Sequence, residues 1–515
     1  MAHFDLLVLT AANETQAAGY RAQLDWRKDA GMLAPETRTL VLPDPGGRRV
    51  GSLGATLAAI RDCGIDDWSC RRVFICHSGG DSKRTPAYAA RGKVFTPVPC
   101  RDASGHPLAV LDLILSNAEK LPRQPGILVA SGDVVLTFGD ADLNAFSFAP
   151  SGVTGIGYYD SMAQGSRHGV YVADAATRDV RDFLQKPDEA TARAAGAVSA
   201  SGQVAVDTGL VFLAPDVCQA LQALSRSGIV EDLAAGTAPQ MDLYEEFLMA
   251  LVPSIGRDRY LRRFASRCTS SKGHQERLAA LHSLFSQFRL QCNIARKCDF
   301  FHIGSSAELL AGFTADCLTA RLYGFAKEQV VPGAPAAFVF NSRIGKISAE
   351  GPALIEGCIW SGALNLAGDN IVTGLHDAQS SASPADIALP RGIGLVALPV
   401  GERDWAVVAY GVKDDFKTAF STSPSEKHCL FLGEPVEKWL EAKRLAPSDL
   451  WGGDEALGMW SARLWRAGTL EQALRDASDA ISAAPATPGY KAGARLSISQ
   501  LIPLVNHARA IAPAT

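Results

Sequence analysis

The sequence lacks the features that mark several common classes of protein. Its 515 residues carry a net charge of only −4, so it has no excess of basic side chains of the kind that binds nucleic acid. No apolar run reaches the roughly 18 residues that a membrane-spanning helix needs. The eleven cysteines are an odd number and include no CxxC pair, which argues against a disulfide framework. No signal peptide is recognisable, and we therefore expect a cytoplasmic protein with neither a nucleic-acid nor a membrane partner.

The composition is that of a folded protein. Hydrophobic residues make up 47% of the chain and charged residues 20%, which excludes the low hydrophobicity typical of disordered chains. A chain of this length exceeds one ordinary hydrophobic core, so two or three domains are expected.

Short apolar runs, each bounded by Gly, Pro or Asp, alternate with helical patterns from the amino terminus to about residue 255. The runs lie at 4–10, 37–43, 71–77, 126–133, 153–159, 168–174 and 204–213. Such alternation predicts an α/β domain with a mostly parallel sheet, whose ligands bind at the carboxyl ends of the strands. Helical patterns return at 257–290 and at 467–511.

A different rhythm begins near residue 340. Apolar residues recur every six positions, at Leu354, Trp360, Leu366 and Val372. A six-residue period is typical of hexapeptide β-helices. We expect the four side chains to line the inside of one face, each stacked above the previous one. An antiparallel sheet with glycine turns is the alternative.

A glycine-rich stretch, HSGGDSKRTPAYAARGKVF (77–95), follows the predicted strand at 71–77. Successive backbone N–H groups in such a turn can bind an anion, and Gly79 and Gly80 let the backbone approach a ligand that a Cβ would block. Arg84 can hold a phosphate through two hydrogen bonds, and Lys93 adds a point charge. The stretch is neither a GxxxxGK[ST] nor a GxGxxG loop. An ordinary strand-to-helix turn with exposed cations is the alternative.

This stretch resembles the fucose-1-phosphate guanylyltransferase (GDP-fucose pyrophosphorylase) family, which also forms the amino-terminal half of bifunctional fucokinase/GDP-fucose pyrophosphorylases. The resemblance extends to DPGGRRVGSLGATLAAI (44–60), SGDVVL (131–136), VDTGLVFL (206–213) and FFHIGSSAELL (300–310). It implies an α/β fold in which a Rossmann-like, GT-A-like nucleotidyltransferase domain precedes a left-handed parallel β-helix domain and carboxyl-terminal helices. The implied boundaries are 1–255 for the catalytic domain, 256–330 for a helical connection, 331–466 for the β-helix and 467–515 for the terminal helices.

The resemblance also implies which residues meet the nucleotide. Arg84 would stabilise charge on the phosphates and on the departing pyrophosphate, and Lys93 would neutralise the phosphate region as the reactants meet. The other implied nucleotide contacts are Gly51, Gly54, Thr56, Gly79, Gly80, Asp81 and Ser82. The family has a glycine where this chain has Leu53, which weakens the assignment of the 51–56 segment to the base.

The remaining implied roles concern the metal and the sugar phosphate. Asp133 matches the aspartate that holds Mg²⁺ in nucleotidyltransferases, and Asp242 is preferred to Asp207 as a second ligand. Lys186, in FLQKP, would contact the sugar phosphate. The residues expected beside the sugar are Asp207, Thr208 and Gly209. Two histidines, His77 and His302, are interpreted as structural, because an ionised sugar phosphate needs no general base.

The implied reaction joins GTP and β-L-fucose 1-phosphate into GDP-L-fucose and pyrophosphate, by Mg²⁺-dependent in-line attack on the α-phosphate. Nothing in the residues themselves selects guanine over adenine, or fucose over a similar sugar such as D-arabinose. Two other classes are less favoured. A sugar kinase would use a serine pair where this chain has Gly54-Ala55-Thr56, and we expect no room for a separate kinase domain. A non-catalytic sugar-nucleotide-binding protein would be expected to lose Arg84 or Asp133, yet both are present. A homo-oligomer is left open.

Overall fold

The structure, a computed structural model, describes residues 4–264, 272–314, 317–327, 331–332, 336–377, 385–421, 428–452, 457–486 and 494–511. The chain divides into two compact units, of which the first comprises residues 1–80 and 111–300 and the second comprises 81–110 and 301–515. The division falls inside the glycine-rich stretch. Gly79 and Gly80 therefore belong to the first unit, whereas Arg84 and Lys93 belong to the second.

The strands have the following bounds in chain order: β1 Leu6–Ala11, β2 Arg38–Pro43, β3 Arg72–His77, β4 Pro97–Arg101, β5 Pro107–Ala109, β6 Gly126–Ser131, β7 Val134–Phe138, β8 Val153–Ser161, β9 Gly169–Ala173, β10 Val180–Gln185, β11 Gln203–Leu213, β12 Leu290–Ala295, β13 Cys298–His302, β14 Ala337–Phe340, β15 Arg343–Ala349, β16 Ala353–Glu356, β17 Ile359–Leu366, β18 Asn370–Thr373, β19 Ile387–Leu389, β20 Ile393–Val400, β21 Asp404–Gly411, β22 Leu430–Phe431 and β23 Glu434–Pro435.

The helices are α1 Glu14–Asp29, α2 Gly51–Asp62, α3 Val110–Ala118, α4 Asp140–Ala145, α5 Met162–Gly165, α6 Glu189–Ala194, α7 Pro215–Leu224, α8 Val230–Ala235, α9 Leu248–Ala250, α10 Arg257–Phe264, α11 Lys272–Phe285, α12 Ser306–Thr314, α13 Leu318–Tyr323, α14 Val436–Lys443, α15 Pro447–Leu450, α16 Leu470–Ile481, α17 Ile498–Leu501 and α18 His507–Ile511. Helices α10 and α11 lie within the predicted helical pattern at 257–290, and α16, α17 and α18 lie within that at 467–511. No helix in the described ranges is long and apolar enough to cross a membrane.

The first unit is built around a mostly apolar sheet. Strands β6, β3, β1 and β2 are neighbours in this order and run parallel to one another, which confirms the α/β class. The sheet is mixed and not mostly parallel as predicted, because β8, β9, β10 and β11 join it through antiparallel pairs. Strand β11 continues the sheet antiparallel to β6 and also pairs with β8. The parallel strands end at Pro43, Ala11, His77 and Ser131. Their carboxyl ends share one edge of the sheet, where ligands of α/β proteins bind.

The apolar runs are strands because both faces of the sheet are covered. Every residue of β1 is buried, and α2 is buried along most of its length. Leu53 and Leu57 of α2 and Val8 and Ile75 of the sheet belong to one core cluster. Parallel strands covered on both faces read as continuous apolar runs rather than as alternating ones, which explains the pattern at 4–10 and 71–77.

The second unit contains two stacks of short parallel strands. In one stack, Ala337 of β14 lies beside Ala353 of β16, which lies beside Asn370 of β18. In the other, Ile344 of β15 lies beside Trp360 of β17, whose strand then pairs with β19. Partners in the first stack are thus 16 and 17 residues apart along the chain. The alternative of an antiparallel sheet is wrong for this region.

The predicted six-residue stacking is also wrong, although the four apolar side chains are all buried. Leu354 lies beside Ile371, and Val372 lies beside Ile355. Between these two strands the chain passes through β17, which belongs to the other stack. The six-residue period therefore marks successive buried positions along the chain. Residues that lie beside each other in neighbouring strands of the first stack are instead 16 or 17 residues apart.

Candidate active site

The glycine-rich stretch begins at the carboxyl edge of the sheet, directly after β3. Helix α1 supports its first residues: Gln16 Nε2 donates to the carbonyl oxygen of Gly80 (2.9 Å), and the Tyr20 hydroxyl donates to that of Ser78 (2.8 Å). Gly80 has a φ of +128°, a conformation that side chains rarely adopt. The first glycines of the stretch are therefore held in a defined turn by the body of the first unit.

His77, at the end of β3, lies between two threonines. The Thr56 hydroxyl donates to the carbonyl oxygen of Ser52 (2.9 Å) and lies 3.0 Å from His77 Nε2, while Nδ1 lies 3.4 Å from the Thr10 hydroxyl. Because the single Thr56 proton is directed at Ser52, Thr56 accepts from Nε2–H, and Nδ1 of a neutral imidazole then accepts from the Thr10 hydroxyl. Burial lowers the pKa of His77 to about 4. Thr56 is itself fully buried, and its hydroxyl contacts two protein groups, the Ser52 carbonyl and the His77 ring.

The predicted nucleotide-binding glycines Gly51 and Gly54 lie at tight packing positions. Gly51 has a φ of +80°, and a Cβ there would lie 2.2 Å from the carbonyl oxygen of Met241. A Cβ on Gly54 would lie 2.9 Å from Cβ of Val50. Both glycines thus allow the start of α2 to pack closely against its neighbours, so their small size has an explanation in packing.

Asp242 lies at this same contact and caps a helical turn. Its Oδ1 accepts from the backbone N–H groups of Tyr244 (2.8 Å) and Glu245 (3.0 Å), and its Oδ2 accepts from the Ser52 hydroxyl (3.0 Å). Glu246 accepts from the Asp242 backbone N–H (2.8 Å). Burial raises the pKa of Glu246 to about 7.

Asp133 follows β6 at the same sheet edge as His77 and is half-buried. The Ser131 hydroxyl donates to its Oδ1 (2.6 Å). In the described residues no group of three or more His, Cys, Asp or Glu side chains is arranged to hold a metal ion. Mg²⁺ often uses only one or two protein carboxylates and completes its shell with phosphates and water. Asp133, at the strand ends, fits that use. Both oxygens of Asp242 accept hydrogen bonds within the protein.

The segment Asp207–Gly209 forms a bulge in β11, where its register against β8 shifts. Gly209 has a φ of +76°, and its backbone N–H donates to Asp207 Oδ1 (3.0 Å). The Tyr171 hydroxyl donates to the same oxygen (2.9 Å), and the Tyr244 hydroxyl donates to the Gly209 carbonyl (2.9 Å). Burial raises the pKa of Asp207 to about 6, with the two hydrogen bonds opposing it. Bulges of this kind often lie beside active sites.

Lys186 is exposed and has an unusual backbone conformation. Its φ is +47°, which is disfavoured for a residue with a Cβ, and it precedes Pro187, which disfavours helical backbone further. Backbone strain of this kind is concentrated at functional sites. The conformation supports the choice of Lys186 from its sequence motif.

Within the second unit, the continuing stretch contains Ser82, Arg84 and Lys93. Ser82 is buried with a φ of +55°, and its carbonyl accepts from the Thr85 N–H (2.7 Å). Nε of Arg84 is buried, and in the described part of the chain it has no hydrogen-bond partner. Lys93 Nζ donates to the carbonyl oxygen of Gly304 (3.3 Å). Asp81 forms a half-buried ion pair with Lys83 (3.3 Å).

Sequence reasoning missed several residues around the predicted ones. Tyr171 and Tyr244 orient the Asp207–Gly209 bulge, but no local motif marks either of them. Arg49 is exposed, and its Nη2 lies 3.8 Å from the point that a Cβ on Gly80 would occupy. Burial raises the pKa of nearby Asp44 to about 6, and the charge of Arg49 opposes the rise. The run PGGRR directly after a strand was a signal that could have identified Arg49.

Together, the parallel strands and the glycine-rich turn at their carboxyl edge define an α/β protein, a class in which ligands commonly bind at the strand ends. A model of the fucose pyrophosphorylase domain matches residues 65–467. This chain belongs to the fucose pyrophosphorylase family.

Named relatives agree with that assignment. The bifunctional fucokinase/GDP-fucose pyrophosphorylase of Arabidopsis thaliana is 30% identical, over 92% of this chain and 48% of that protein. This chain therefore spans about half the length of the plant protein. Fucose-1-phosphate guanylyltransferase of Mus musculus is 26% identical over 89% of this chain and 83% of its own length. The Homo sapiens protein of the same name is 24% identical over 90% of this chain and 81% of its own.

Proposed function

We propose that this chain is a fucose-1-phosphate guanylyltransferase, which makes GDP-L-fucose and pyrophosphate from GTP and β-L-fucose 1-phosphate. Family membership supports the reaction class, and the names of the mouse and human relatives support the substrate. Because the plant relative is twice as long as the aligned region, its second activity is not extended to this chain.

The observation that carries the proposal is the unpaired guanidinium nitrogen of Arg84. A buried charged donor without a partner is costly, and such groups are rare in folded proteins unless they have a function. Nε of Arg84 is buried without a partner among the described residues. A phosphate oxygen would satisfy this donor and neutralise the charge at once.

In the proposed reaction, a phosphate oxygen of the sugar phosphate attacks the α-phosphorus of the triphosphate. The bond from that phosphorus to the bridging oxygen of the β-phosphate breaks, and pyrophosphate leaves with the electron pair. Arg84 stabilises the charge that grows on the leaving group, and Lys93 neutralises the phosphate region. Backbone N–H groups of Gly79, Gly80 and the following residues bind the phosphates.

The attacking oxygen is already ionised, so the reaction requires no general base. His77 is unsuited to a proton-transfer role, since burial lowers its pKa to about 4 and both ring nitrogens face threonine hydroxyls. Its place beneath the turn instead supports the backbone from which the phosphate-binding amides project.

Asp133 is the residue we propose to hold Mg²⁺. When bound, the ion supplies charge neutralisation at the phosphate oxygens. Ser131 orients the Asp133 carboxylate through its 2.6 Å hydrogen bond. Asp242 contributes by capping a helical turn and fixing the start of α2.

Lys186 and the Asp207–Gly209 bulge are proposed to bind the sugar phosphate. Lys186 supplies a positive charge from a strained strand end, and its exposure leaves the ammonium group free to meet a phosphate. The bulge offers fixed backbone polar groups beside two tyrosine hydroxyls. These groups can hydrogen-bond sugar hydroxyls, the kind of contact that discriminates strongly between substrates.

We also propose that the α/β unit is a Rossmann-like, GT-A-like nucleotidyltransferase domain and that the stacked strands are a left-handed parallel β-helix. The parallel order of β6, β3, β1 and β2 supports the first, and the 16- and 17-residue stacking supports the second. The boundaries at 255, 330 and 466, a cytoplasmic location and a homo-oligomer stay predictions.

A chromatographic assay for GDP-L-fucose and pyrophosphate tests the function. Purified protein is supplied with each of four nucleoside triphosphates and with fucose 1-phosphate or arabinose 1-phosphate. GTP with fucose 1-phosphate should give the highest kcat/KM. Arg84→Ala should lower kcat by about 10²–10³-fold, as loss of one pre-organised donor does.

Arg391→Ala is the matched control, because Arg391 is an exposed arginine of the same unit, paired with Asp369. It should retain wild-type kcat. Absence of any sugar nucleotide from every substrate pair would contradict the proposed function. A wild-type kcat in Arg84→Ala would contradict the proposed role of Arg84. It would not contradict the proposed reaction.

A further inference from the structure

A buried carboxylate in the stacked strands contacts the segment that joins Arg84 to Lys93. Glu356, the last residue of β16, is only 3% exposed, and its Oε1 lies 3.7 Å from Nη1 of Arg91. In its stack Glu356 lies between Phe340 and Thr373. An ionised side chain at such a position is costly unless a partner compensates it. A neutral glutamine would cost less free energy to bury than an ionised glutamate. Stability alone therefore does not explain the ion pair between Glu356 and Arg91.

The segment from Arg84 to Lys93, here called the joining segment, is hydrogen-bonded to residues 301–515 at both of its ends. The backbone N–H of Ser306 donates to the carbonyl oxygen of Arg84 (2.8 Å). Lys93 Nζ donates to the carbonyl of Gly304 (3.3 Å). Between these ends, Arg91 pairs with Glu356 and its Nη2 also donates to the carbonyl of Ala510. The cations proposed to bind phosphate are thus placed by the second unit and not by their own segment alone.

Tyr88 adds packing to the same contact. Tyr88 is 1% exposed, and it borders a cavity of about 40 Å³ together with Arg91, Glu356 and Thr373. Burial, and next the charge of Glu356, raise the pKa of Tyr88 well above its usual value. The Glu356 carboxylate therefore lies close to two side chains of the joining segment.

We infer that Glu356 is a positioning residue: through its contact with Arg91 it holds the segment from Arg84 to Lys93 in the geometry that phosphoryl transfer requires. The inference rests on the proposed function. Errors of about 1 Å in the placement of a charged group can cost on the order of 10²-fold in rate. Glu356 acts without touching a substrate, so its loss should affect turnover more than substrate binding.

The test compares Glu356→Gln, Arg91→Lys and the double variant E356Q/R91Q with the wild type. We expect E356Q to lower kcat by about tenfold, with the KM for GTP changed by less than about twofold. Arg91→Lys keeps the charge and should retain most of kcat. The double variant removes the unpaired charge and should recover Tm without recovering kcat.

Asp476→Asn is the matched control. Asp476 is a carboxylate of the second unit that is as buried as Glu356. It pairs with Arg466 (2.7 Å) and Arg495 (3.6 Å), both of which lie outside residues 81–110. It should lower Tm and leave kcat unchanged. An equal loss of kcat in D476N and E356Q would reduce Glu356 to a structural residue and overturn the inference. So would a wild-type kcat in E356Q.

Hydrogen–deuterium exchange separates this inference from the proposed function. Peptides covering 84–93 should exchange faster in E356Q than in the wild type, and at the wild-type rate in D476N. If the wild type made no GDP-L-fucose, the proposed function would fail, and exchange would still decide the inference. Unchanged exchange across 84–93 in E356Q would overturn it.

Discussion

His77 Nε2 lies 3.0 Å from the hydroxyl oxygen of Thr56, across the space between the end of β3 and the second turn of α2. This bond joins the strand that leads into the glycine-rich turn to the helix that follows the PGGRR loop. The imidazole is neutral because burial lowers its pKa to about 4. Protonation would remove the acceptor at Nδ1 that faces the Thr10 hydroxyl, so these contacts should respond to acid.

The first prediction follows from the pKa of His77, which burial lowers to about 4 from an ordinary value near 6.5. The unfolded chain binds the proton more tightly, so this group's contribution is fully present above pH 6.5 and is lost as the pH falls through 4. The difference in unfolding free energy between wild type and His77→Asn should shrink by up to about 3 kcal/mol from pH 7 to pH 4. Urea unfolding at both pH values measures it. A difference that is the same at both pH values would contradict the buried neutral imidazole.

Glu246 gives a prediction of opposite sign. Burial raises its pKa from 4.5 to about 7, so the folded state holds the proton more tightly than the unfolded chain. Its stability contribution is fully present below pH 4.5 and is lost as the pH rises through 7. Glu246→Gln cannot ionise, and should gain up to about 3 kcal/mol over the wild type between pH 4.5 and pH 8. Thermal unfolding in matched buffers measures this gain. Glu189→Gln, on an exposed carboxylate of α6, should alter Tm equally at both values; an equally flat E246Q profile would refute the assignment.

Lys186 should show a trade-off between stability and function. Glycine at position 186 relieves the positive-φ strain, and Lys186→Gly should raise the unfolding free energy by about 1 kcal/mol. The same change removes the proposed contact to the sugar phosphate and should raise the KM for fucose 1-phosphate. Arg444→Gly is the control, since Arg444 has a similar φ of +54° at the end of α14. The Arg444→Gly variant should gain stability without any change in the KM for fucose 1-phosphate. An unchanged KM in K186G would contradict the proposed role of Lys186.

Leu366 tests the strand stacking in its corrected register. Leu366 is buried in β17, between Ala349 of β15 and Leu389 of β19. Leu366→Asp would bury an unpaired charge at the cost of several kcal/mol, and should give insoluble or unfolded protein. Asn365→Asp, one residue away and exposed, should be folded. A soluble and fully folded L366D protein would contradict the stacking.

Local pattern was enough to predict much of the fold and part of the candidate site. The apolar runs became strands because continuous apolar sequence can be satisfied only by burial on both faces of a sheet. The glycines of the stretch at 77–95 were found because a tight turn after a strand restricts which residues fit. Lys186 was chosen from its place before a proline at a strand end and stays a prediction; the structure adds its positive φ.

Other expectations depended on which distant segments of the chain come into contact. Gly51, Gly54 and Thr56 were assigned to the nucleotide, yet the structure gives each of them close neighbours inside the protein. The resemblance implied that Asp242 is a metal ligand. In the structure its carboxylate caps a helical turn. A small or polar residue in a motif looks the same in sequence whether its neighbour is a ligand or another segment of the chain.

The sequence by itself determined the α/β class of the amino-terminal part, the six-residue rhythm, the glycine-rich turn after a strand and the family, because each depends on residues that are neighbours in the chain. Only the tertiary structure decided that the strands stack after 16 and 17 residues and that Ser52 meets Asp242, 190 positions away. It also decided that Arg84 and Lys93 are held by residues beyond 300. Periodicity fixes which face of an element is buried, but not which distant element covers it; that choice is made by the packing of the whole chain.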